Sequence, residues 1–215
     1  MTEETLEVRA YQEYLRQRAM WNRSKAEQGD TNAQYNLGWM YDNGTGVAQD
    51  YVEAVRLYRL AAEQGHVSAQ FSLGWMYECG DGVAQDYVEA VRLYRLAAEQ
   101  GHVSAQGYLG AMYDNGEGVE QDHEEAERWY RLAAEQGHAV AQFNLGLMYR
   151  DGRGVAQDYV EAVRLFRLAA EQGIARSQTN LGNMYYLGQG VAQDDAEAVR
   201  LFRLAAKQDE QEEAQ

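Results

Sequence analysis

The chain has 215 residues, a formal net charge of −15 and a single cysteine, Cys79. The charge repels nucleic acid phosphates and anionic membrane surfaces. One cysteine excludes an internal disulfide and leaves a cysteine-based zinc site short of ligands. Of the 19 basic residues, only Lys25 and Lys207 are lysines, and the arginines are spread along the chain, so no basic patch forms. No apolar run reaches the eighteen residues of a membrane-spanning helix. The opening segment MTEETLEVRAYQEYLRQ lacks the apolar core of a signal peptide. As written the chain reads as cytoplasmic; a removed leader would make it periplasmic or secreted.

The segment Trp21–Asp30, WNRSKAEQGD, aligns with LYRLAAEQGH at Leu57–His66 and is more polar. Residues 1–29 are therefore expected to form a degenerate half unit, a helix covering the open end of a stack of repeats. Gly29, Gly65, Gly101, Gly137 and Gly173 recur every 36 residues, and the stretch AQDYVEAVRLYRLAAEQGHVSAQ occurs unchanged from Ala48 and from Ala84. Such a period marks a repeat array. The units are 30–65, 66–101, 102–137, 138–173 and 174–209, with Ser177 and Asp209 breaking the pattern in the last.

Each unit reads as two helices. The first, about Thr31 to Asp42 in the first unit, places Ala33, Leu37, Met40 and Tyr41 on one face. Asn32, Tyr35, Asn36, Trp39 and Asn43 share the other. Gly38, repeated as Gly74, Gly110, Gly146 and Gly182, costs about 1 kcal/mol inside a helix; its return predicts a crossing too close for a side chain. The G-x-G-V segment after it ends the helix, and Asp50 with Glu53 opens the second in capping-box fashion. Ala54, Leu57, Tyr58 and Ala61 form its apolar stripe. Residues 210–215 read as an acidic tail, and disorder is expected after Lys207.

One such hairpin cannot bury its own apolar face, but stacked neighbours can. The fold class is therefore all-α. These residues resemble the Sel1-like repeat family, A-x3-L-G-x2-Y-x2-G-x-G-V-x2-D-x3-A-x3-aromatic-x2-A-A-x2-G, matched five times over about residues 30–208. The chain departs from it in having Ala48, Ala84, Glu120, Ala156 and Ala192 where proline is common. Its second-helix aromatics are Tyr58, Tyr94, Tyr130, Phe166 and Phe202 where tryptophan is common. The resemblance implies a right-handed α-α superhelical solenoid of the tetratricopeptide-like kind, with a concave surface lined by the first helices and an adaptor role. A cysteine-rich branch of the family is credited with β-lactam binding or hydrolysis; one cysteine excludes that branch's disulfide framework here.

Candidate chemistry is sparse. None of the five serines is followed by lysine three positions on, so the S-x-x-K motif is absent, and the chain is read as no enzyme, with no cofactor and no metal. His66, His102 and His138 each open their own unit, and helix spacings of about 8–10 Å keep one metal from gathering them; they read as polar residues at helix starts. The G-x-G segments come after helices rather than strands and are not phosphate loops. The acidic loop Asp114–Glu125 lacks EF-hand spacing. The arginine ladder Arg56/Arg59 and its repeats has glutamates at Glu53 and Glu63, spacings that favour local ion pairs.

Positions that vary while the skeleton stays fixed are not demanded by the repeat. On the first helices they put Tyr35, Trp39, Phe71, Trp75 and Tyr108 in an aromatic strip, and exposed aromatics mark interfaces. The expected function is binding of a protein or peptide partner there, with Asn32, Asn36, Asn43 and Asn144 as polar contacts. Two alternatives stand beside it. One is a β-lactam-binding or hydrolysing protein. The other is a self-associating unit whose open C-terminal face stacks weakly on another copy.

Overall fold

The structure, a computed structural model, describes the backbone of residues 3–212 and the side chains of residues 8–208. It contains helices α1 (Glu3–Glu27), α2 (Thr31–Asn43), α3 (Tyr51–Glu63), α4 (Val67–Cys79), α5 (Tyr87–Glu99), α6 (Val103–Asn115), α7 (His123–Glu135), α8 (Ala139–Asp151), α9 (Tyr159–Glu171), α10 (Ala175–Leu187) and α11 (Asp195–Glu212). No strand occurs among the described residues, and no described helix is long and apolar enough to cross a membrane. Two compact units result, residues 1–102 and 103–215. In the first, α1 to α5 pack each on the next in chain order; in the second, α6 to α11 do the same.

Helix ends obey the repeated signals. Asp50 Oδ1 accepts a hydrogen bond from the Glu53 amide at 3.0 Å, capping α3. The reciprocal half of the capping box is missing, because the Asp50 amide bonds to the Tyr41 carbonyl and the Glu53 carboxylate takes Arg56 instead. The first glycine of each loop ends a helix: Gly44, at φ 65°, donates its N–H to the Met40 carbonyl. The second glycine is required for space as well as for its dihedral. A Cβ on Gly82 would lie 2.3 Å from the Tyr51 carbonyl at the start of α3. Gly46 meets Leu15 in the same way, so Leu15 stands where Tyr51 stands one unit later.

The glycine inside each first helix is explained by a ring. A Cβ on Gly38 would sit 2.8 Å from Tyr58 Cδ1, and one on Gly74 would sit 2.9 Å from Tyr94 Cδ1. Both tyrosines are fully buried. Around them in residues 1–102, Ala54, Val55, Ala61 and Ala62 of α3 meet Ala69, Leu73 and Met76 of α4. In residues 103–215, Ala162, Val163, Phe166 and Ala169 of α9 likewise meet Leu181 and Met184 of α10.

A polar ladder that helix periodicity does not reveal ties the helices together. The buried Gln34 accepts a hydrogen bond from Gln64 Nε2 at 2.7 Å and donates to the Ala26 carbonyl at 3.4 Å. Gln100–Gln70, Gln136–Gln106 and Gln172–Gln142 repeat the first contact. In the last unit the rung is broken: Gln178 Oε1 is buried without a partner. That unit departs at its end as well. Composition predicts disorder after Lys207, yet α11 continues to Glu212. Its neighbours stop at a glycine in the left-handed region, and Asp209 stands at that place. Residues 213–215 of the expected tail lie outside the described residues.

Histidine caps the first helices. His66 Nδ1 accepts from the Ala69 amide and His138 Nδ1 from the Ala141 amide, each at 3.1 Å. Ile174 at the corresponding place makes no such bond and packs against the apolar cluster instead. Burial holds the imidazoles of His66, His102 and His138 below the ordinary histidine value, and protonating Nδ1 turns the acceptor into a donor facing an N–H.

Two outcomes are expected. Gly74→Ala gains about 1 kcal/mol of helix propensity but forces Tyr94 out of its seat at a cost of about 1–3 kcal/mol, so urea denaturation is expected to show no gain and a net loss of up to about 2 kcal/mol. For the histidines, a lowered folded-state pKa means the unfolded chain binds protons more readily. Their contribution is complete above the ordinary value of about 6.5 and is lost as pH falls through the lowered one. The melting temperature of the wild type is therefore expected to fall between about pH 7.5 and about pH 5.5 more steeply than that of His66→Asn/His138→Asn, whose caps do not titrate there.

Candidate functional site

The variable positions of the first helices separate into three classes once packed. In residues 1–102, Tyr35 is half-buried, its ring stacked on His66 with centroids 4.6 Å apart and tilted against Tyr58 at 5.8 Å. Phe71 repeats this on His102 at 4.6 Å and Tyr94 at 5.6 Å. The residue that caps one first helix thus forms the platform for a ring of the helix before it. Trp39 and Trp75, one helical turn further on, stand outward at 46% and 39% exposure. Asn32 and Asn43 are exposed beside them, and Asn43 Nδ2 donates to the Trp39 carbonyl at 2.9 Å.

The third class meets the buried tyrosines. Ser72 bonds to the Tyr58 hydroxyl, and Asn144 in the second unit bonds to that of Tyr130. Asn36 has no ring of this kind before it, because α1 carries Asn22 where later second helices carry tyrosine or phenylalanine. A cleft of about 120 Å³ opens there, lined by Tyr11, Leu15, Arg18, Asn36, Trp39 and Met40 among others. Trp39 of the expected strip and Asn36 of the expected polar contacts are therefore brought together with α1 side chains that the repeat pattern alone does not single out.

The buried hydroxyls explain a second, acidic series. Tyr58 donates to Asp42 at 3.1 Å and Tyr94 to Glu78 at 2.5 Å. Burial pushes the Tyr58 phenol well above its usual range, with the Asp42 charge adding to it, and burial likewise raises Asp42. Where the ring is Phe166 the acid is replaced by Arg150, and where it is Phe202, by Tyr186. This pairing is the sequence signal by which the contact is recognised. Arg150 instead engages Asp151 and Asn180.

In residues 103–215 the outward tryptophans are absent: Ala111 and Leu147 take their positions. Tyr108 is half-buried. Phe143 is buried, with the Arg176 guanidinium 5.1 Å from its ring. Asp114, at the start of the acidic loop, is held by His123 Nδ1 at 2.9 Å and Arg153 Nη1 at 2.8 Å. It joins the end of α6 to the start of α7 and to the loop after α8 rather than standing as a free carboxylate. Among the described residues no group of three or more histidine, cysteine or acidic side chains is placed to hold a metal.

The arginine ladder divides. Arg56, Arg92, Arg164 and Arg200 form the expected pairs with Glu53, Glu89, Glu161 and Glu197 at 2.6–2.7 Å. Arg59 does not pair with Glu63. It reaches instead to the hydroxyl of Tyr77 in the next unit, at 2.9 Å. Arg131–Tyr149 and Arg167–Tyr185 do the same. Spacing within one helix reveals only the local partner; stacking supplies a neutral one from the next helix pair. The arginines named here are thus occupied by structural contacts, and Trp39 and Trp75 stand exposed on the first helices of residues 1–102.

The model of the Sel1 repeat family matches residues 31–66, 67–102, 103–138, 139–174 and 175–210. Among curated proteins, none matches the chain. Solved structures do. The protein c5321, a protective antigen of uropathogenic Escherichia coli with an SLR fold, is 45% identical with a TM-score of 0.84 over 87% of this chain. The chain spans 40% of that antigen's length. A Sel1 repeat protein from Oxalobacter formigenes is 35% identical with a TM-score of 0.80, over 88% of this chain and 82% of its own. Immunity protein Pa5087 of Pseudomonas aeruginosa, at 21% identity and a TM-score of 0.53 over 89% of this chain and 73% of its own, shares the fold alone. With five consecutive matches across both compact units, and ring-on-glycine packing repeated in each, the chain belongs to the Sel1 repeat family.

Proposed function

We propose that the protein is a non-catalytic binding scaffold that takes a protein or peptide partner on the first helices of residues 1–102. The observation that carries this reading is the pair Trp39 and Trp75, the same position in consecutive units, both exposed. The rings behind them, Tyr35 and Phe71, are stacked on histidines. Large rings on a rigid base lose little side-chain entropy on binding, which is what makes tryptophan an effective anchor. Asn32, Asn36 and Asn43 offer polar contacts around them, and the cleft beside Trp39 accepts a small apolar side chain. Tyr108 and Asn144 take the place of Asn36 in residues 103–215, and the proposal includes them as contacts of that unit by itself.

The formal charge of −15 favours a partner segment that is basic as well as apolar, since complementary fields speed encounter and select the partner.

Wild type and Trp39→Ala/Trp75→Ala are to be used side by side as baits in extract of the source organism, with Val52→Ala, exposed on α3, as control. A partner retained by wild type and control and weakened about 30-fold or more by the double variant is the expected result, at about 1 kcal/mol or more per buried anchor. Equal retention by all three baits refutes the site.

A further inference from the structure

The last second helix, α11, presents a face that its counterparts keep covered. Val55, Val91 and Val163 are 4–5% exposed, whereas Val199 at the same repeat position is 47% exposed. Phe202 is half-buried and Ala206 exposed, where Phe166 and Ala170 are buried. A depression of about 310 Å³ lies along this helix, lined by Ala196, Val199, Arg200, Arg203, Leu204 and Lys207.

The repeats show what such a face is built to receive. On α3 the equivalent valine, tyrosine and alanines are covered by Ala69, Leu73 and Met76 of a first helix, with Tyr77 packed alongside. On α9 they are covered by Leu181 and Met184, with Tyr185 alongside. The arginine at the rim donates to that helix: Arg59 to Tyr77 and Arg167 to Tyr185. The corresponding Arg203 has no hydrogen-bond or ion-pair partner among the described residues. Beside it stands Lys207, where every earlier unit has glutamate: Glu63, Glu99, Glu135 and Glu171. The local charge of this face is therefore opposite to that of the chain as a whole.

We infer that the outer face of α11 docks an acidic amphipathic helix of a partner protein. That helix carries a small residue, leucine four positions later and a long apolar residue three after that, then tyrosine or a carboxylate against Arg203. The apolar stripe reproduces the covering helix of the inner units, and the acidic requirement comes from Arg203 and Lys207. This surface is separate from the first-helix face that holds Trp39 and Trp75.

The probe is a fluorescein-labelled peptide of residues 66–83 with Cys79→Ser, which carries this pattern together with Glu78 and Asp81. It is titrated with the full chain and followed by anisotropy. Saturable binding is expected for wild type and for Trp39→Ala/Trp75→Ala alike. At least tenfold weaker binding is expected for Val199→Glu and for Arg203→Glu/Lys207→Glu, whose folding is checked by circular dichroism. An isolated helix of this length is marginal in water, so the titration extends to millimolar protein. Absence of saturation with wild type, or binding indifferent to either set of α11 substitutions, overturns the proposal. Sedimentation velocity on the chain alone supplies the remaining outcome. Dimerisation abolished by Val199→Glu would assign the face to a second copy and overturn the partner helix.

Discussion

An aromatic ring lying directly against a glycine is the contact on which each unit depends. Tyr58 leaves no room for a Cβ on Gly38, and that closeness lets the two helices of a hairpin bury their stripes in each other. The glycine sacrifices helix propensity to permit it, and the buried ring more than offsets the loss. A buried tyrosine must also satisfy its hydroxyl. Asp42 and Glu78 do this where the ring is Tyr58 or Tyr94, and the acid gives way to Arg150 where the ring is Phe166. A packing choice in one helix thereby dictates a polar choice in the helix before it.

The same economy governs the ends of the helices. Buried glutamines link three helices through side-chain amides, and histidines serve both as caps and as platforms for the rings of the preceding unit. Repeated polar residues in this chain are therefore mostly structural. The exceptions lie at the first and last helices of this chain. At α1, Asn22 replaces a ring and a cleft opens beside Trp39. At α11, Val199 and Phe202 lack the helix that covers their counterparts. Places released from the repeat's internal demands are where a scaffold has surface to give to partners.

The aromatic strip shows where a one-dimensional pattern runs out. Tyr35 and Trp39 share a helix face by spacing, and both vary between repeats. Tyr35 nevertheless meets His66 while Trp39 meets solvent, because only the stacking of the next unit puts an imidazole beside the first position. Asn144 stands among the outward polar contacts by spacing alone, yet it bonds to the Tyr130 hydroxyl for the same reason.

Period, helix number, caps, the glycine crossing and the family were all legible in the sequence, since each rests on interactions between residues a few positions apart or on the identity of the copies themselves. The local pairs Glu53–Arg56 and their repeats were legible for the same reason. The partners of Arg59, the role of the buried glutamines and the continuation of α11 to Glu212 were decided by tertiary contact or by the loss of a stop signal in a single unit. A side chain's partner lies 18 residues away on the next helix pair or 30 away on the other helix of its own pair. No periodicity within one helix can choose between it and solvent, and the division of the aromatic face into packing and accessible rings is set at that distance.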